Sequence, residues 1–126
     1  DRELFRRVCP GMSYEAIMDA LVEAVEIFGR NHAFSNIIVG LGESEETLHR
    51  TIDDLTKKGI IPVLRAVYPH PLRADEAVME RPSAERHIDL ARYLRDALKK
   101  NCLDGAAALT GCYRCTGCDL IPGRDL

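Results

Sequence analysis

Apolar residues recur along this chain in two alternating rhythms. Ile17, Leu21, Ala24, Val25 and Phe28 fall at steps of three and four, which gathers them on one face of a helix running from Ser13 to about Phe28. Phe34 to Val39 has no such period; it closes on the β-branched run Ile37-Ile38-Val39 and predicts a strand buried on both faces, as in parallel sheets. Leu48, Ile52 and Leu55 restore the helical spacing. Ile60 to Tyr68 forms a second apolar strand interrupted only by Arg65, and Ile88, Ala91, Leu94 and Leu98 mark the inward stripe of a third long helix. Polar residues punctuate these segments. Ser13, Ser44 and Ser83 stand where helix N-caps belong, Gly29 and Gly59 follow helix ends, and Lys57, Lys58, Lys99 and Lys100 complement C-terminal dipoles. Before the first long helix, Leu4, Phe5 and Val8 line a short helical turn that Pro10 and Gly11 stop, and Pro69 and Pro71 open a loop that reaches about Arg81.

Helices alternating with strands at this spacing predict an α/β fold of right-handed crossover units in a parallel sheet, spanning 1–101 and followed by a cysteine-rich tail at 102–126. Two strands make an incomplete sheet. Their open edges require further strands from a longer protein or association between chains, so a homo-oligomer is expected of the piece by itself. The first residue, Asp1, is not Met, and the expectation is that the chain has been cut, processed or excerpted.

Composition narrows the function classes. The 126 residues carry 17 Lys and Arg against 20 Asp and Glu, a formal charge of −3, and basic residues alternate with acids instead of clustering. No phosphate-tracking surface is implied, so nucleic acid is not an expected partner. No apolar run is long enough for a bilayer and no leader pattern precedes the first helix, so a membrane is not expected either and the cytoplasm is the default compartment.

Three places carry candidate chemistry. At the strand-to-helix junction Asn36 to Thr47, Gly40 and Gly42 allow a tight turn whose main-chain N–H groups, together with the helix start, suit an electron-rich ligand group; glycine there also serves geometry alone. Arg65, at the end of the second strand, suits a carboxylate or phosphate, or a plain structural salt bridge. Tyr68, His70 and Arg73 sit in the loop beyond it, where parallel α/β folds place their chemistry, although a loop histidine is commonly just solvated. The third place is the tail. Its run Gly111-Cys112-Tyr113-Arg114-Cys115-Thr116-Gly117-Cys118 is C-x2-C-x2-C, with Cys102 upstream as the fourth candidate ligand. The spacing matches the start of ferredoxin-type loops that hold a [4Fe–4S] cluster; structural zinc uses similar spacing, and thiols without metal remain the third reading. Cys9, between Val8 and Pro10, reads as a packed thiol.

With these residues placed, the chain resembles the C-terminal half of a radical S-adenosylmethionine enzyme of the biotin-synthase-like branch. Such enzymes have a partial (β/α)6 barrel, a partial TIM barrel, and carry Gly-x-Ile-x-Gly-x-x-Glu near the fifth strand. Here Asn36, Ile38, Gly40 and Glu43 occupy those positions, Asn36 replacing the first glycine. The resemblance covers about 13–100. It implies that Ile38 packs on the adenine of S-adenosylmethionine, that Gly40 lets the strand end approach it, and that Glu43 orders the turn. Val63 and Leu64 of the following strand would border the adenine. The C-x3-C-x2-C loop that binds the cofactor-cleaving cluster is absent, so this chain alone is not expected to be catalytic; the tail resembles an auxiliary-cluster motif. The missing N-terminal half of the barrel becomes the expected partner and a small molecule of unknown identity the substrate. A reading from another class is a small iron–sulfur or zinc module for electron transfer or partner binding. An α/β hydrolase or transferase built on His70 and Arg65 lacks a nucleophile in a recognisable setting.

Overall fold

A computed structural model describes residues 1–73, 75, 78–108, 112–115 and 120–126, with the backbone alone at 112 and 113. The chain runs through α1 (Arg2–Val8), α2 (Tyr14–Phe28), β1 (Ala33–Val39), α3 (Glu45–Lys57), β2 (Ile60–Ala66), a 3-10 turn (Pro71–Arg73), α4 (Ala84–Lys100) and the short α5 (Cys112–Cys115). Each long helix begins on a serine whose hydroxyl accepts a backbone N–H three residues on: Ser13 from Ala16, Ser44 from Thr47 and Ser83 from Arg86, all at 3.1–3.2 Å. Asp1 does the same for α1, accepting from Glu3 and Leu4.

β1 and β2 pair in parallel from Ala33 opposite Ile60 to Val39 opposite Ala66, and the amide of Val67 still donates to the carbonyl of Val39 at 2.9 Å. The crossover through α3 makes this a β-α-β unit, an α/β arrangement of parallel strands alternating with helices. Its core is one continuous cluster. Leu48, Ile52 and Leu55 of α3 and Leu90, Ala91, Leu94, Ala97 and Leu98 of α4 meet Ile37, Val39, Ile60, Ile61, Val63 and Leu64 of the sheet. Leu103, Ala108 and Ile121 from beyond α4 are buried in the same cluster.

Four expectations are corrected. β1 is not buried on both faces: Ala33, Ile37 and Val39 are buried while Asn36 and Ile38 between them are exposed, because among the described residues that side of the strand end borders an apolar cavity and an open cleft. β2 is the strand buried throughout, from Ile60 to Leu64, since it lies against both α3 and α4. It ends at Ala66, and Tyr68 stands 76% exposed. In α2 the contacts with the core come from Met18, Leu21, Ala24 and Val25, none fully buried, and Phe28 in the last turn is 65% exposed. On α4, Ile88 is only half-buried and Leu90 and Ala97 complete the stripe.

Between α3 and α4, the rings of His49 and Tyr93 stack with centroids 3.8 Å apart and planes 12° off parallel. Burial holds the Tyr93 phenol above its ordinary pKa, and the charge of Asp53, which also accepts its hydroxyl, pushes in the same direction. A raised folded-state value means that the fold favours the neutral phenol. That contribution is complete below the unfolded value of about 10 and is lost as pH rises through the folded one. Thermal melts between about pH 9 and pH 11 should therefore show the parent losing Tm more steeply than Tyr93→Phe.

Ile52 has no exposed surface. Replacing it by Ala should cost about 3 kcal/mol in a denaturant melt, the usual range for a buried large-to-small change. Phe28→Ser, at the exposed end of α2, should stay within about 0.5 kcal/mol of the parent.

Candidate functional site

The chain leaves β1 at Val39 and turns twice through the left-handed region, at Gly40 (φ 106°) and Gly42 (φ 87°), before Ser44 caps α3. The side chain of Glu43 folds back into this turn. Its two carboxylate oxygens accept from the amides of Gly40 at 2.9 Å and Leu41 at 2.7 Å, and the side chain is only 4% exposed. These two N–H groups are therefore satisfied by the protein's own carboxylate, which corrects the expectation that the turn offers them to a ligand. Arg86, in the first turn of α4, completes the arrangement. One terminal nitrogen lies 3.2 Å from Glu43 Oε1 and 3.5 Å from the Glu43 carbonyl, and its Nε lies 2.5 Å from Glu45 Oε1. The bond to Glu45, with the charges of both carboxylates, drives the guanidinium pKa still higher, against the opposing effect of partial burial.

Gly40 has a second constraint. A Cβ built there would fall 2.1 Å from the carbonyl oxygen of Glu80 and 2.8 Å from Val67 Cγ1, because the segment leading into α4 crosses the turn and the Glu80 amide donates to the Gly40 carbonyl at 2.9 Å. A Cβ at Gly42 would meet only Val78, at 3.5 Å.

The uncovered side of the strand ends lies beside this turn. Ile38, 40% exposed, stands opposite Arg65 in the register, and Arg65 Nε donates to Asn36 Oδ1 at 3.1 Å across the same face. A cleft of about 700 Å³ brings Ile38, Leu64 and Arg65 together with Tyr68, Arg81 and His87 at the start of α4. The Arg81 guanidinium lies 5.1 Å from the centre of the Tyr68 ring, within cation–π range. Val63 is buried and does not reach this cleft, and Gly40, Gly42 and Glu43 form the turn beside it and not its lining. On the outer edge of β1 a smaller apolar cavity of about 270 Å³ opens between Leu4, Phe5, Val8 and the strand, with Cys9 on its wall.

The loop beyond β2 is organised by local bonds. His70 Nδ1 accepts from the Leu72 amide at 3.3 Å, and Arg73 reaches back to the carbonyl of Val8 at 2.6 Å, capping α1. Both side chains thus have local positions in the chain's own bonding. In the tail, Cys112 and Cys115 begin and end the single turn α5, and the Cys115 thiol is exposed. Cys102 is exposed just past α4, with φ 55°. Cys118 lies outside the described residues, as do the side-chain contacts of Cys112. Among the described residues no group of three metal-ligating side chains converges.

The sequence reading missed Arg86. It lies 43 positions from Glu43, and its only local signal is its place in the first turn of α4, where a cation opposes the helix dipole and so needs an anionic partner.

Fold and site together define a β-α-β segment with a carboxylate-braced glycine turn at the carboxyl ends of parallel strands. Over 91 residues, 72% of its length, the chain is 30% identical to lipoyl synthase from Haemophilus influenzae (strain ATCC 51907 / DSM 11121 / KW20 / Rd) and to lipoyl synthase from Histophilus somni (strain 2336). It is 29% identical to lipoyl synthase from Glaesserella parasuis serovar 5 (strain SH0165) over the same length. The chain spans about a quarter of the length of these curated relatives. No family model and no solved structure matches it.

The two glycines should respond differently to alanine. Gly40→Ala combines a positive φ with a backbone collision and should cost about 3 kcal/mol or more, whereas Gly42→Ala carries the φ penalty alone, about 1 kcal/mol. Urea melts of the two variants side by side check this ordering.

Proposed function

We propose that this chain is part of a radical S-adenosylmethionine enzyme and supplies one wall of its cofactor pocket. The observation that carries the reading is the pairing of lipoyl synthase similarity with the turn itself. Within the matched length, Asn36-Ile-Ile-Val-Gly-Leu-Gly-Glu43 leaves a parallel strand with Glu43 bonded back to Gly40 and Leu41. Ile38 fits a planar apolar ligand because its side chain is held on the rigid end of β1 and is left uncovered. In this reading Ile38 meets the adenine from the strand face and Leu64 and Arg65 bound the cleft behind it. Gly40, Gly42 and Glu43 hold the turn, and Val63 acts from below through packing. S-adenosylmethionine supplies the radical chemistry when it is bound and reduced in the complete enzyme.

The rest of a (β/α) barrel, including the loop that binds the reducing cluster, then belongs to a missing N-terminal half, and the chain by itself is not catalytic. The substrate is a small molecule that these residues do not identify. Residues 102–126 form the metal-binding part, with Cys102, Cys112, Cys115 and Cys118 holding a [4Fe–4S] cluster or, in its place, zinc. The open strand edges of the piece alone favour self-association.

The test is a pair of measurements on protein prepared without oxygen. Calorimetric titration of the complete enzyme with S-adenosylmethionine should show binding that Ile38→Ser weakens about tenfold, the loss of one well-buried apolar contact. Iron, zinc and sulfide content with a visible spectrum should show a metal lost in the Cys112→Ala, Cys115→Ala, Cys118→Ala triple variant. Binding by the complete enzyme that Ile38→Ser leaves unchanged would count against the pocket; absence of any metal would remove the cluster.

A further inference from the structure

We propose that Arg86 is the positioning residue of the glycine turn, holding the Glu43 carboxylate against the Gly40 and Leu41 amides and thereby fixing the end of β1 for its ligand. The last step rests on the cofactor reading above; the positioning itself does not.

The charge on Glu43 creates the need for a partner. A carboxylate 4% exposed has lost most of its hydration, and two backbone N–H bonds do not replace it. Arg86 provides the charge partner from a different element and approaches the same oxygen that Gly40 engages, Oε1, at 3.2 Å. Its Nε is fixed in turn by Glu45 Oε1 at 2.5 Å, so the guanidinium plane is oriented before it meets Glu43. Backbone position limits its freedom further, because Arg86 lies one turn into α4, whose cap Ser83 accepts the Arg86 amide at 3.1 Å. The segment running into that cap is the one that crosses Gly40, with the Glu80 amide on the Gly40 carbonyl. The turn is therefore gripped at one place by backbone and at another by the guanidinium, both from the entry of α4. A planar fork with two separate acceptors is what this geometry uses, and an ammonium would satisfy one of them.

This differs from a merely stabilising salt bridge in what it predicts. Arg86 acts on two named amides. In native-state amide hydrogen exchange, Arg86→Gln should raise exchange at Gly40 and Leu41 about tenfold, the scale of one charge-assisted bond, while amides of Val63 and Leu64 in β2 stay within about twofold of the parent. Arg86→Lys should recover part of the protection. Glu45→Gln, which removes the outer partner only, should give a smaller increase at the same two amides. If Arg86→Gln loses protection throughout the chain, Arg86→Lys decides: faster exchange confined to Gly40 and Leu41 supports the proposal, and uniform change overturns it. Unchanged exchange at the two amides in Arg86→Gln overturns it as well. Titration of the same variants, made in the complete enzyme, with S-adenosylmethionine separates the two readings. An affinity about tenfold weaker in Arg86→Gln, tracking the exchange result, ties the positioning to the ligand. A complete enzyme that binds no S-adenosylmethionine overturns the cofactor reading, and with it the ligand step, while the exchange data still decide the positioning of the turn.

Discussion

A buried carboxylate with three partners holds this structure to its shape. Glu43 sits where β1 must reverse into α3, and the reversal leaves the amides of Gly40 and Leu41 pointing into the turn, where water does not reach them easily. An unpaired buried amide costs as much as a lost hydrogen bond. Glu43 satisfies both, and Arg86 offsets the burial of its charge. The consequence reaches beyond the turn. The direction in which the chain enters α3 decides whether Leu48, Ile52 and Leu55 land on the sheet, and their burial is what returns the chain along β2 in parallel with β1. A neutral glutamine would replace one accepting oxygen with a donor that faces the same two amides, so the turn requires the acid and not merely a polar side chain.

The sheet that results is asymmetric, and the asymmetry is informative. Its helix side is closed by α3 and α4, with Ile52, Leu90 and Leu94 at 0–1% exposure. Its other side, at the strand ends, presents Ile38 beside the Asn36–Arg65 pair. A strand of a self-sufficient sheet places polar residues on its solvated face. Here an isoleucine lies there, rigidly held, with a guanidinium opposite it in register. An apolar side chain next to an oriented cation is surface that suits further cover, and the chain spans about a quarter of the length of its curated relatives.

Much of this was legible from short-range signals. Ser13, Ser44 and Ser83 announce their helices because capping is decided within three residues, and the stripe Leu48, Ile52, Leu55 needs only the helical period to be found. What failed depended on what lies across space. The apolar run ending β1 looks like the run of β2, yet only β2 is flanked by α3 and α4; no periodicity reports which neighbours are present. Phe28 continues the spacing of α2 into a turn that extends past the core. Arg86 was invisible for the same reason, since its partner is 43 residues away and its own neighbourhood looks like an ordinary solvated helix start. In the tail the cysteine spacing is plain from the sequence, but the convergence of thiols is a statement about side chains that lie largely outside the described residues.

Gly40 shows how a structure redistributes the weight of sequence evidence. Read alone, a glycine at the end of a parallel strand argues that something approaches the backbone, and a ligand is one candidate. The structure supplies another cause that is sufficient by itself: the Glu80 carbonyl stands 2.1 Å from where a Cβ would be. Glycine is therefore required at 40 whether or not a ligand binds, and its presence no longer discriminates between the two. Glu43 is in the same position, being needed by the turn itself. Ile38 is only partly used by the fold: it lines both the small apolar cavity beside β1 and the larger cleft, and 40% of it stays exposed. Its neighbours Ile37 and Val39 serve the core, whereas the part of Ile38 that faces the cleft is apolar surface at a position where the register would tolerate a threonine or serine. What speaks for a ligand at these strand ends is therefore not the glycines but the part of Ile38 that the fold leaves open to the cleft.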